Sequence, residues 1–96
     1  MKFLVIWRLD LSLLSAETVR AVLRMPDYAE PLVEEGKVEA RYHIVGSHGG
    51  VWIYDVASNE ELEVLLARSP VYNYAGFEVL PLAEMQAPPI GTGEGP

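Results

Sequence analysis

Phe3-Leu4-Val5-Ile6-Trp7 is an unbroken apolar run, closed by Arg8. Side chains alternate across a strand, so a run that is apolar at every position is a strand buried on both faces. It is far too short for a membrane span or a signal-peptide core. In a chain of 96 residues, which holds one small domain, something must cover each of those faces. That requirement constrains the fold more than any other feature.

The rest of the chain supplies candidates for the cover. Ser15 is an N-cap, and Val19, Val22 and Leu23 recur at helical spacing with Arg20 and Arg24 opposite. Pro26 and Pro31 predict a break, with a second helical piece from Tyr28 to Glu35 and a stop at Gly36. Val38 to Val45 and Val51 to Ala57 read as strands flanking the loop Gly46-Ser47-His48-Gly49-Gly50. Ser58-Asn59-Glu60-Glu61 is a capping box opening a second helix, whose stripe is Leu62, Leu65 and Leu66 and which ends at Ser69-Pro70. Phe77 to Leu80 is a last strand. From Gln86 onward Gly and Pro dominate, so residues 1–85 form the domain and 86–96 a flexible tail.

The order βαββαβ is an α+β, ferredoxin-like plan: an antiparallel sheet with both helices on one face. The second face then stays open. Burying one large apolar side chain is worth roughly 1.5–3 kcal/mol, so several left wet are not expected. A second copy packed face to face resolves this, giving a dimeric α+β barrel. If Val45 pairs with Val51, Tyr42 faces Tyr54 on an aromatic face, while Arg41 meets Asp55 on a mixed one.

Composition removes several functions. Seven Lys and Arg against fourteen Asp and Glu give a formal charge of −7, which argues against nucleic acid or anionic membrane as partner. No cysteine is present, so disulfides, thiolate catalysis and Cys-ligated metals are excluded. No carboxylate–histidine cluster has metal spacing, and Gly46 to Gly50 lacks the Lys-Ser/Thr of a phosphate loop. The expectation is a soluble, cytoplasmic protein.

An ordered set of residues resembles the muconolactone isomerase family: Glu35-Gly36, Ile44-Val45-Gly46, Tyr54-Asp55-Val56, Ser58, Glu60, Leu62, Leu65, Pro70, Tyr74 and Glu78-Val79. The spacing runs without gaps from Gly36 to Val79, nearly half the chain. The resemblance implies a dimeric α+β barrel that assembles further into rings. It also implies a proton shift on an unsaturated lactone without metal or cofactor. Relatives of this shape isomerise or cyclise polyketide-like intermediates in biosynthetic pathways. The chain departs from the pattern in three places. His43 stands where the family has arginine. Ser47-His48 replaces a histidine directly after the glycine. Asp27 falls near a helical glutamate.

A proton shift beside a carbonyl needs a base, and a donor or cation for the developing enolate. Imidazole is the side chain that exchanges protons near neutrality, which nominates His43 and His48; their alternatives are a bonded strand histidine and an exposed turn residue. Asp27 is a third candidate base, or a helix cap. Arg41 suits a substrate carboxylate, or a cross-strand pair with Asp55. Tyr28, Tyr42, Tyr54, Tyr74 and Trp52 are candidate pocket walls, or core and interface aromatics. Two functions follow: a cofactor-free isomerase or cyclase, or a non-catalytic binding or assembly module on the same barrel. A cavity beside His43 or Asp27 separates them.

Overall fold

The computed structural model describes residues 1–86; the tail expected over 86–96 lies outside them except for Gln86. Strand β1 (Lys2–Leu9) leads through a 3-10 turn (Leu11–Leu13) to helices α1 (Ala16–Leu23) and α2 (Met25–Glu34). Strands β2 (Val38–His43) and β3 (Gly49–Asp55), helix α3 (Asn59–Ala67) and strand β4 (Ala75–Leu82) follow. The sheet order is β2-β3-β1-β4, with every neighbouring pair antiparallel. This is the expected βαββαβ plan, with its first helix in two pieces.

The local signals act where the sequence places them. The Ser15 hydroxyl accepts from the Thr18 amide at 3.3 Å. At α3 the Ser58 hydroxyl accepts from the Glu61 amide at 3.1 Å. The Glu61 carboxylate reaches back to the Ala57 amide at 2.8 Å, one residue before the cap. Gly36 (φ 75°) and Gly46 (φ 77°) take the left-handed backbone that ends α2 and turns the hairpin.

One face of the sheet carries Phe3, Val5 and Trp7 from β1 with Trp52 and Tyr54 from β3. It forms a single core with Ala21, Met25, Ala29 and Leu32 of α1 and α2 and with Leu62, Leu65 and Leu66 of α3. The other face carries Leu4, Ile6, Val51 and Ile53, continued by Leu80, which registers with Leu4. No element of the described residues covers it, as the plan requires.

Three expectations are corrected. Val51 faces Tyr42 rather than Val45, so the β2–β3 hairpin is shifted by three residues, with a bulge between Val38 and Ala40. An odd shift exchanges the faces of a strand. Arg41 therefore shares the helix-covered face with Trp52, and Tyr42 moves to the open face, 65% exposed. The shift arises because Gly49 and Gly50 belong to β3 and not to the turn: they register with Arg8 and Trp7. A Cβ on Gly49 would overlap the Trp7 carbonyl, so only glycine allows that approach. Secondly, the pair expected between Arg41 and Asp55 does not form. Asp55 lies 3.6 Å from the chain's amino group, and the Arg41 guanidinium stands over the Trp52 ring. Thirdly, α2 starts at Met25, not Tyr28. Pro26 sits in its first turn, where a missing N–H costs nothing, and Pro31 is accommodated inside the helix.

Candidate active site

The elbow between α1 and α2 stands above the β2 end of the sheet and overhangs a half-open cavity of about 370 Å³, with Arg41 and His43 exposed at its mouth. Val22, Met25 and Pro26 form its roof, Trp7, Gly50 and Trp52 its floor, and the β2 segment Arg41, Tyr42, His43 its rim. Each part traces to a local cause. The elbow exists because Arg24 ends α1 and begins α2 in one residue, with Pro26 just after it. The floor is open because Gly50 has no side chain between the two tryptophans. The rim faces inward because the shifted register turns Arg41 and His43 toward the helices.

The chemistry available is a cation, an imidazole and two indole N–H groups around an apolar space. The Arg41 guanidinium carbon lies 5.7 Å from the centre of the Trp52 ring, within reach of a cation–π attraction. Trp7 Nε1 is buried with no hydrogen-bond partner among the described residues. Such a donor is an exception that calls for a physical reason. No group of three metal-ligating side chains occurs among the described residues.

Of the residues nominated from the sequence, Arg41, Tyr42, His43 and Trp52 line this cavity. Tyr42 contributes mainly backbone there, since its ring is on the open face. Asp27 is exposed in the first turn of α2, next to Pro26 of the roof but outside the lining. It does not cap that helix, whose N-cap is Arg24. His48 is exposed in the hairpin turn, where its carbonyl accepts from the Leu9 amide at 2.9 Å. Tyr74 packs half-buried against the core near the start of β4, and its carbonyl accepts from Asp10.

Tyr28 and Tyr54 are committed elsewhere. The Tyr28 hydroxyl donates to the Leu65 carbonyl at 2.7 Å, so the proton in its 3.1 Å contact with Tyr54 belongs to Tyr54. Burial pushes both phenols above their ordinary range, Tyr54 far above it. Neither serves as a base. Trp7, Gly50, Val22, Met25 and Pro26 were not anticipated as site residues. Trp7 reads as core from its run, and only the β1–β3 register reveals it opposite Gly50.

Residues 1–87 match the family pattern described as muconolactone delta-isomerase. The muconolactone delta-isomerase of Cupriavidus pinatubonensis is 36% identical over 75 residues, which cover 78% of this chain and 79% of that protein. That of Acinetobacter baylyi is 38% identical over 55 residues, 57% of each chain. Among solved structures, a muconolactone isomerase crystal structure superposes with a TM-score of 0.78 over 93% of this chain and 95% of its own, at 24% identity. A 5-chloro-2-hydroxyhydroquinone dehydrochlorinase from Burkholderia phenoliruptrix gives 0.65 over 88% and 96%, at 18% identity. Those two likenesses concern the fold. On the match over residues 1–87 and the identity to the Cupriavidus enzyme, the chain belongs to the muconolactone delta-isomerase family, a family of isomerases.

Proposed function

We propose that the cavity beneath the α1–α2 elbow isomerises a small unsaturated lactone carrying a carboxylate, by proton transfer without metal or cofactor. The observation that carries this reading is that Arg41 and His43 line one apolar cavity over an indole floor. His43 takes a proton from a carbon conjugated with the lactone carbonyl. The electron pair moves onto the carbonyl oxygen as a dienolate, and the proton returns at a different carbon of the same system. The double bond has then shifted, and nothing else is consumed. Arg41 pairs with the substrate carboxylate and fixes which carbon faces His43.

A cavity filled by its own side chains would have suited a non-catalytic assembly role; the open space beside His43 supports catalysis instead. The uncovered sheet face supports a homodimer in which Leu4, Ile6, Ile53 and Leu80 are buried against a second copy. Sedimentation at micromolar concentration is expected to give a dimer or larger multiple, and a monomer contradicts it.

The test is turnover. A panel of muconolactone, other enol-lactones and polyketide-like dicarbonyl compounds is followed by ultraviolet absorbance. Turnover confined to the lactones supports the proposal. Cyclisation of the dicarbonyl compounds would move the chain to a different reaction on the same barrel. No turnover and no thermal shift across the panel contradicts catalysis here.

A further inference from the structure

Trp7 and Trp52 are the chain's two tryptophans, and both stand on the floor of this cavity. Trp7 registers directly with Gly50, and Trp52 lies two residues further along β3, on the same face. The position that a Cβ would occupy on Gly50 is 2.9 Å from the Tyr42 carbonyl oxygen, 3.0 Å from Trp7 Nε1 and 3.4 Å from Trp52 Nε1. The two indole nitrogens thus lie beside one glycine. Trp7 is 8% exposed, and its Nε1 has no partner among the described residues. An indole nitrogen donates and never accepts, so what completes it must be an acceptor: a carbonyl, an enolate or a carboxylate oxygen.

We propose that Trp7 and Trp52 form a paired N–H donor site for the substrate oxygen on which negative charge builds during the proton shift, and that Gly50 keeps this site open. The proposal rests on the proton-transfer reading of the cavity and names its charge-stabilising groups. When His43 removes the proton, the electron pair passes through the conjugated system to the carbonyl oxygen, and the two N–H groups receive the charge. When the proton returns at the second carbon, the pair moves back and the hydrogen bonds weaken. Both rings belong to the core, which limits how far the two donors move as the charge develops. Arg41 above the Trp52 ring adds positive charge on the same side. The Tyr28–Tyr54 pair shows that this core can close a chain of polar aromatics internally. That it leaves the buried Trp7 donor without a partner, in a residue that lines the cavity, is what points to a ligand.

The experiment uses the full chain, labelled with nitrogen-15, and 4-nitrophenolate as a stable enolate mimic. Its two indole resonances are assigned with Trp7→Phe and Trp52→Phe. Both are expected to move downfield as the phenolate saturates the site. With muconolactone as substrate, each substitution is expected to lower kcat by about 10²–10³-fold while KM changes far less, the cost of one lost oxyanion donor. Because phenylalanine is smaller, β-(3-benzothienyl)alanine at position 7 serves as a second variant: it keeps the shape of the ring and lacks the N–H. The same loss with an unchanged Tm is expected. Indole resonances that stay fixed at every phenolate concentration, or full kcat in the benzothienyl variant, overturn the donor pair. Full kcat in both wild type and that variant leaves the isomerase reading standing without it. Moving indole resonances in a chain that turns over no lactone keeps the donor site and removes the isomerase reading.

Discussion

Two pairs of polar aromatics, all buried except the half-buried Tyr28, share the core of this protein, and they differ in how their hydrogens are spent. Tyr54 donates to Tyr28, and Tyr28 donates to the Leu65 carbonyl, so that chain ends inside the protein. Trp7 and Trp52 lie on the same sheet face, yet the Trp7 donor is left without a partner beside open space. Trp52 joins the two regions, with its ring 5.9 Å from Tyr28 and 6.1 Å from Tyr54. The contrast shows how one small core divides its work. A closed network specifies the packing, while the second pair leaves a buried donor without a partner among the described residues.

Substitutions can break this contrast, beginning with the largest effect. His43→Gln is expected to lower kcat on muconolactone by about 10²–10⁴-fold, the usual worth of a positioned base, with Tm unchanged; steady-state kinetics beside a melting curve checks both. Tyr28→Phe acts on the closed pair and should do the reverse. It leaves the Tyr54 hydroxyl and the Leu65 carbonyl unpartnered, at a cost of about 1–3 kcal/mol in stability, while kcat in the surviving fold is retained. Urea unfolding reads the first and kinetics the second. Leu80→Glu on the open face is expected to shift the sedimentation equilibrium toward monomer.

The smallest effect lies far from the cavity, at Glu61. Its bond from the Ala57 amide, and then Lys37 at 2.9 Å, hold its carboxyl below the ordinary range. A depressed carboxyl stabilises the fold fully above its unfolded pKa, and the contribution disappears as pH falls through the folded value. Tm should therefore drop on acidification below the ordinary carboxylate range, and Glu61→Gln should flatten that slope. This pair is exposed and weak, so the change is small beside those above.

Much of the fold was legible because its signals are local. The Phe3–Trp7 run, the Ser15 cap and the Ser58 box each depend on a few neighbouring residues, and each stands where it was read. The hairpin register was not legible. Gly49 and Gly50 carry the composition of a turn, but their role is set by Trp7, far away in sequence, whose backbone they must approach. That one misplacement puts Arg41 opposite Asp55, where the structure puts it opposite Trp52. The polar half of the site could be named from residue type alone, as imidazole and guanidinium announce their chemistry. The indole half could not. A tryptophan in an apolar run reads as core, and only its pairing with a glycine across the sheet places its N–H beside the cavity lining.

The claim beneath all of this is that the reacting molecule sits between the α1–α2 elbow and the tryptophan floor. Val22→Trp tests it most directly, because Val22 lines the roof and carries none of the proposed chemistry. With the cavity plugged and the melting temperature preserved, muconolactone turnover should be lost. Turnover at the wild-type rate in that variant would place the reaction elsewhere on the protein.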